Sequence, residues 1–175
     1  MYTLINQGPD ASAFAKPNSS WGTRSISWWI TFLLALGIIF VGIRFILLPE
    51  VGADGFGISF VNPKDDVYGK IKGIRDIFSG LMLLPLLWMR MRTATAWVFT
   101  TTIIVPVTDG MIILATNGIQ DIAHLLIHWG TALVMVGTAV LLLGIGGRPW
   151  TKRVVLLFSF TGFITFFVLP YSFIE

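Results

Sequence analysis

The chain contains no cysteine, which excludes disulfide bonds, a thiol nucleophile, thiolate metal ligands and covalent haem attachment. Charge is also scarce, because only 12% of the residues are charged, against roughly 25% in an ordinary soluble domain. The 12 basic and 9 acidic residues mostly lie between apolar runs, a pattern typical of membrane topology signals. We therefore expect no nucleic-acid partner and expect membrane lipid to surround the protein.

Long apolar runs occupy most of the 175 residues. A helix needs about 20 apolar residues to cross the hydrocarbon core of a bilayer. The candidate spans are residues 26–48, 71–89, 94–116, 122–143 and 154–169. The sequence therefore predicts an all-α integral membrane protein, a compact bundle of about five transmembrane helices within residues 26–170, or four if the short last run does not span. Residues 1–25 are predicted to be a polar N-terminal tail and residues 171–175 a C-terminal tail.

Basic residues near the span ends predict the orientation. Seven lie on the side of the N-terminus and three on the opposite side, in the loop between the first two runs. This distribution places the N-terminus in the cytosol, and in a eukaryote a biosynthetic role would favour the endoplasmic reticulum membrane. Pro106 lies near the middle of the third run and predicts a kink there.

Six ionisable residues lie inside these runs or within a turn or two of their ends. A charged group at the centre of a membrane helix costs about 2.5–3.5 kcal/mol, so we interpret them as functional candidates. Counted from the span ends they reach a similar depth on the non-cytosolic side, and we expect them to converge there. They are Arg44, Arg75, Asp76, Asp109, His124 and His128.

Structural roles are the alternative for most of these residues. Arg44, Arg75 and His124 lie close enough to a span end for their side chains to extend to the interface. Asp76 follows Lys72 by four residues and Arg75 by one, so a structural ion pair would also explain it. These interpretations stay open at the level of sequence.

Two carboxylates near arginine and histidine suit acid–base catalysis, because one carboxyl group can donate a proton while the other accepts one. We assign this pair to Asp76 and Asp109, with Arg44 or Arg75 holding one carboxylate ionised and His128 relaying a proton. An apolar pocket suits a lipophilic small molecule. The prediction is a cofactor-independent membrane enzyme that opens or hydrolyses epoxides, cyclises or isomerises such a substrate.

Two other functions fit the same residues. His124 and His128 are four residues apart and, with Asp109, would form a two-histidine, one-carboxylate metal site. The helix lacks the glutamate of an H-E-x-x-H motif, and we assign no metal. The second alternative is a non-enzymatic lipid- or ion-handling protein or small transporter, in which Asp109 and His128 line a proton or substrate path.

Four segments resemble a family of small multi-span helical membrane proteins of unassigned function, found in bacteria and in fungal biosynthetic clusters. They are GIRFILLPEVGADGFG (residues 42–57), KGIRDIFSGLMLLPLL (residues 72–87), PVTDGMIIL (residues 106–114) and the later HLLIHWG. The resemblance covers residues 30–147 and implies a compact helical bundle that modifies a lipophilic metabolite in secondary-metabolite biosynthesis. The positions that match the family are Arg44, Glu50, Arg75, Asp76, Asp109 and His124. We expect Glu50 and Trp129 to contact the substrate.

Overall fold

The computed structural model describes Asn18 and residues 20–144. These residues form helices and no strand: α1 Ile26–Leu47, α2 Pro49–Phe56, α3 Asp65–Trp88, α4 Arg92–Thr102, α5 Ile104–Asn117 and α6 Ile122–Leu143. Within the described part of the chain, three helices are long and apolar enough to cross a membrane, namely α1, the nearly continuous α4–α5 and α6. The predicted run at 154–169, the C-terminal tail and most of the N-terminal tail lie outside the described residues.

The helices follow the predicted spans closely at both ends of the described region. The first and fourth predicted spans agree with α1 and α6 to within one residue. The second span ends one residue beyond α3, and α3 begins six residues earlier than the span, at Asp65. Asp65 Oδ2 accepts hydrogen bonds from the backbone N–H groups of Val61 and Asn62, which fixes the turn that leads into the helix. Lys72 therefore lies two turns inside a helix.

The third predicted span is divided into α4 and α5 at Ile103. Pro106 has no N–H to donate to the carbonyl of Thr102, so the regular hydrogen-bond ladder is interrupted at this point. The break lies three residues before the proline, close to the predicted kink.

The connection between α1 and α3 contains the short helix α2, which the sequence did not predict. Pro49 occupies its first turn, where a missing N–H has no cost. Gly57 ends the helix with a φ of 102°, a conformation that favours glycine. A side chain here would also meet the ring of His124, whose Cγ lies 2.8 Å from the position of a Cβ atom. Gly57 thus lets α2 turn back against the start of α6.

Helices α1 and α3 approach each other so closely that their backbones are in contact. A Cβ atom added to Gly42 would lie 2.5 Å from the carbonyl oxygen of Gly73, and one added to Gly80 would lie 2.5 Å from that of Ala35. Small residues at helix interfaces permit this close packing in membrane proteins. Because residue 42 faces 73 and residue 35 faces 80, the two helices are antiparallel.

The outward faces of the helices are largely apolar. Large hydrophobic side chains are exposed along every long helix, including Leu33, Phe40, Ile43, Phe78, Leu81, Met111, Ile112, Leu126 and Leu133. Contiguous exposed apolar surface is rare on monomeric soluble proteins and marks contact with a membrane or a partner.

A polar network joins the α5–α6 turn to the end of α2. Asn117 Nδ2 donates to Asp121 Oδ2 at 2.6 Å and to the Gly57 carbonyl at 2.7 Å, and His124 Nδ1 donates to Asp121 Oδ1 at 2.7 Å. Burial opposes ionisation of Asp121, but the hydrogen bonds from Asn117 and His124 outweigh it and lower the pKa of this carboxyl. The network therefore stabilises the ionised carboxylate.

We expect Gly80→Ala to destabilise the protein by roughly 1–3 kcal/mol, because the added methyl group meets backbone that cannot move aside. Gly130→Ala is the matched control, since a Cβ atom at residue 130 meets nothing within 4 Å. The control should be neutral or stabilising by up to about 1 kcal/mol through helix propensity. Thermal unfolding in one detergent measures both variants, and equal melting temperatures would contradict the close α1–α3 contact.

The Asp121 network predicts a pH dependence of stability. A carboxyl group whose pKa is lowered by folding stabilises the native state above its unfolded pKa, here 3.8, and loses that contribution as the pH falls through the folded value. Asp121→Asn keeps a helix-capping side chain but removes the charge. The difference in melting temperature between wild type and Asp121→Asn should shrink as the pH falls from about 5 to about 3. A difference that grows over this pH range would refute this role.

Candidate functional site

A cavity of about 200 Å³ lies between α1, α3, α4, α5 and α6 and is bordered at one end by α2. Its walls are mostly apolar, and each of these helices contributes at least one aliphatic or aromatic side chain. Five ionisable side chains also line it, namely Arg44, Lys72, Asp76, Asp109 and His128. An apolar cavity with a few convergent polar groups is the usual form of a small-molecule site.

The pair formed by Lys72 and Asp76 lies on one face of α3. Lys72 Nζ donates a hydrogen bond to Asp76 Oδ2 at 2.6 Å, at the i, i+4 spacing that brings helical side chains together. The ammonium also lies 4.7 Å and 5.0 Å from the ring centroids of Phe45 and Phe56, within the range of cation–π attraction. Two aromatic rings and one carboxylate therefore hold the Lys72 cation in place.

His128 connects α6 to α2. Its Nε2 lies 2.9 Å from the carbonyl oxygen of Phe56, and since a carbonyl only accepts, Nε2 carries the proton. The imidazole also packs edge-on against the Phe56 ring, with centroids 4.6 Å apart. His128 thus positions the end of α2 over the cavity and leaves Nδ1 as the ring nitrogen without a protein partner among the described residues.

Asp109 and Arg44 differ from the other charged groups of the cavity. Neither has a hydrogen-bond or salt-bridge partner within the part of the chain that the structure describes. Arg44 extends over Gly55 of α2, where a Cβ atom would lie 3.1 Å from Nη1 and 3.2 Å from Nη2. Because Lys72 neutralises Asp76, the Arg44 cation and the Asp109 carboxylate remain available to a ligand.

The cavity changes from polar to apolar along its length. On α1 the lining runs from Arg44 to Leu34, ten residues or about 15 Å of helix. On α3 it runs from Lys72 to Leu83 in the same sense, because the antiparallel contact of α1 and α3 places their polar ends together. Apolar side chains from α4 and α6 complete the far end, including Phe99 and Met135.

The structure brings four of the six predicted catalytic residues together, namely Arg44, Asp76, Asp109 and His128. The other predicted residues lie outside the cavity wall. Arg75 is exposed, because adjacent residues on a helix point about 100° apart and Asp76 takes the inward direction. His124 belongs to the Asp121 network.

The two predicted substrate contacts also lie away from the lining. Glu50 is exposed on the first turn of α2. The indole of Trp129 packs directly on Gly110, at a point where the contact leaves no space for a Cβ atom. Trp129 therefore contributes to the contact between α5 and α6 behind the cavity.

The geometry does not favour the metal alternative. Among residues 20–144, no three His, Asp or Glu side chains come close enough to hold one ion. His124 and His128 are four residues apart, but the first donates to Asp121 and the second to Phe56. Their ring nitrogens are directed to different partners.

Lys72 is a cavity residue that is not among the site residues predicted from the sequence. It is the second residue of the predicted span and is counted with the basic residues of the preceding loop, although the ion-pair alternative for Asp76 includes it. Its distance of four residues from Asp76 was the available signal, since that spacing places both side chains on one helical face.

The comparisons with known proteins identify a family and no function. No curated protein and no solved structure matches the chain. The model of a domain of unknown function, DUF4267, matches residues 35–142, a stretch that contains the cavity lining from Ile38 to Met135. This match covers more than half of the chain, and the protein therefore belongs to the DUF4267 family.

Proposed function

We propose that the protein is a membrane-embedded enzyme that performs cofactor-independent acid–base chemistry on a lipophilic small molecule. The observation that supports this best is the contrast between two carboxylates in one apolar cavity. Asp76 is bound to Lys72, whereas Asp109 has no protein partner among the described residues. A carboxyl group without a partner in an apolar site is available to exchange a proton with a ligand.

A location in the membrane is supported by the distribution of polarity. The helices carry apolar side chains on their outer faces and enclose charged ones. A charged group facing hydrocarbon is costly, whereas one facing a cavity retains polar partners. We further propose the cytosolic N-terminus and, in a eukaryote, the endoplasmic reticulum. This orientation depends partly on Lys16, Arg148, Lys152 and Arg153, which lie outside the described residues.

In the proposed chemistry the two carboxylates have different roles, because their surroundings differ. Asp109 exchanges a proton with the reacting group of the ligand. Asp76, positioned by the Lys72 ammonium, exchanges the complementary proton with a water molecule or a second group of the ligand. His128 Nδ1 faces no protein partner in the described chain and provides a further proton-transfer group. Epoxide opening or hydrolysis, cyclisation and isomerisation each need such a paired donor and acceptor. Each turnover moves one proton from the donor to the acceptor, and this proton returns through His128 or water before the next turnover.

The test uses purified full-length protein in lipid nanodiscs, incubated with lipophilic epoxides and polyenes and analysed for products by mass spectrometry. Asp109→Asn should lower the conversion rate by roughly 100-fold or more, because the amide can neither donate nor accept the proton. The melting temperature of the variant shows that it is folded. Asp54→Asn is the control, since Asp54 is an exposed carboxylate on the outer side of α2 and should leave the rate unchanged.

Two outcomes contradict the proposal in different ways. Conversion by Asp109→Asn at the wild-type rate would remove Asp109 from the mechanism. A wild-type protein that binds panel members but leaves all of them chemically unchanged would favour the non-enzymatic lipid-handling alternative.

A further inference from the structure

We propose that the natural ligand is a lipophilic carboxylic acid, whose carboxylate binds Arg44 and whose apolar body extends towards Leu34, Leu83 and Phe99. This inference rests on the proposed function, because it names the substrate class of the same cavity. Three observations support it: the Arg44 guanidinium has no protein partner among the described residues, the lining changes from polar to apolar along the cavity, and the charges of the lining favour a monoanion.

The first observation concerns Arg44 itself. A guanidinium that is half-buried among apolar groups normally pairs with a carboxylate or with backbone carbonyls. The described part of the chain provides Arg44 with neither, although four other ionisable cavity residues come from α3, α5 and α6. Its fork lies against Gly55, where an added Cβ atom would contact both terminal nitrogens, and both residues line the cavity. A ligand carboxylate would supply the missing bidentate partner.

The second observation is the shape of the lining. Ionisable residues occupy the end near α2, and the lining about 15 Å further along α1 is apolar. A ligand that fills both ends must be amphipathic, with one polar head group and an apolar body. A uniformly apolar ligand would leave Arg44 desolvated and unpaired, which is costly.

The third observation is the number of charges. Lys72 is committed to Asp76 and to two aromatic rings, so one available cation faces one available carboxylate, that of Asp109. When Asp109 holds the proton that it exchanges with the ligand, a monoanion neutralises Arg44 and leaves the lining without net charge. A phosphate monoester, which carries about −1.5 to −2 charges at neutral pH, would leave an excess of negative charge. The lining therefore favours a carboxylate.

The test measures retention of radiolabelled decanoic acid by the purified full-length protein in a scintillation proximity assay, with unlabelled competitors. Unlabelled decanoic acid should compete at least about tenfold better than methyl decanoate, which has the same chain but no charge, and better than decyl phosphate. Arg44→Gln should abolish the preference for the acid over the ester. Arg44→Lys should retain part of it, because the charge remains but the bidentate fork is lost.

Two further variants separate this inference from the proposed function. Arg24→Gln makes the same substitution at an exposed arginine and should bind like wild type. Asp109→Asn should keep the preference for the acid even though it loses turnover. Equal competition by acid and ester, stronger competition by the phosphate, no retention of decanoic acid, or an unchanged preference in Arg44→Gln would each overturn the inference. Conversion of a neutral lipophile that depends on Asp109 would leave the proposed function standing in every one of these cases.

Discussion

The close backbone contact between α1 and α3 is the constraint on which the rest of the structure depends. Gly42 faces Gly73, and Gly80 faces Ala35, at distances that leave no room for an added Cβ atom. This contact sets the antiparallel register, and the register places Arg44 of α1 beside the Lys72 end of α3. Because α2 follows α1 directly and packs on Phe45 through Gly52, its position over the same end depends on this contact as well.

Pairing lowers the free-energy cost of burying some of the charged cavity residues but not all of them. Lys72 and Asp76 pair with each other, and the aromatic rings of Phe45 and Phe56 provide further contacts for the ammonium. Arg44 and Asp109 lack comparable protein partners in the described chain. Natural structures retain such groups mainly where they act, because a buried polar group without a partner costs stability. The cavity therefore combines one ion pair with two charged groups that have no protein partner among the described residues.

Depth along each helix could be predicted from the sequence, whereas direction around each helix could not. Counting residues from the span ends placed Arg44, Asp76, Asp109 and His128 at one level, and the structure brings these four to one cavity. The same count included Arg75, which lies at the right depth but points outward. Lys72 was counted with the preceding loop because it lies at the very start of the predicted span. Hydropathy does not show that α3 begins at Asp65, where hydrogen bonds to a carboxylate end the preceding turn.

The sequence by itself determined that the described chain is helical, where α1 and α6 begin and end to within one residue, and which few ionisable residues needed an explanation. These properties are local, since they follow from runs of apolar residues, prolines and the scarcity of charge. Only the tertiary structure decided that Lys72 binds Asp76 within a cage of Phe45 and Phe56, that His128 holds α2, and that Arg44 and Asp109 remain available. These contacts depend on how each helix is rotated about its axis and against which neighbour it packs. The periodicity of one helix does not specify its rotation or its neighbour, because both are set by the shapes of the two surfaces in contact.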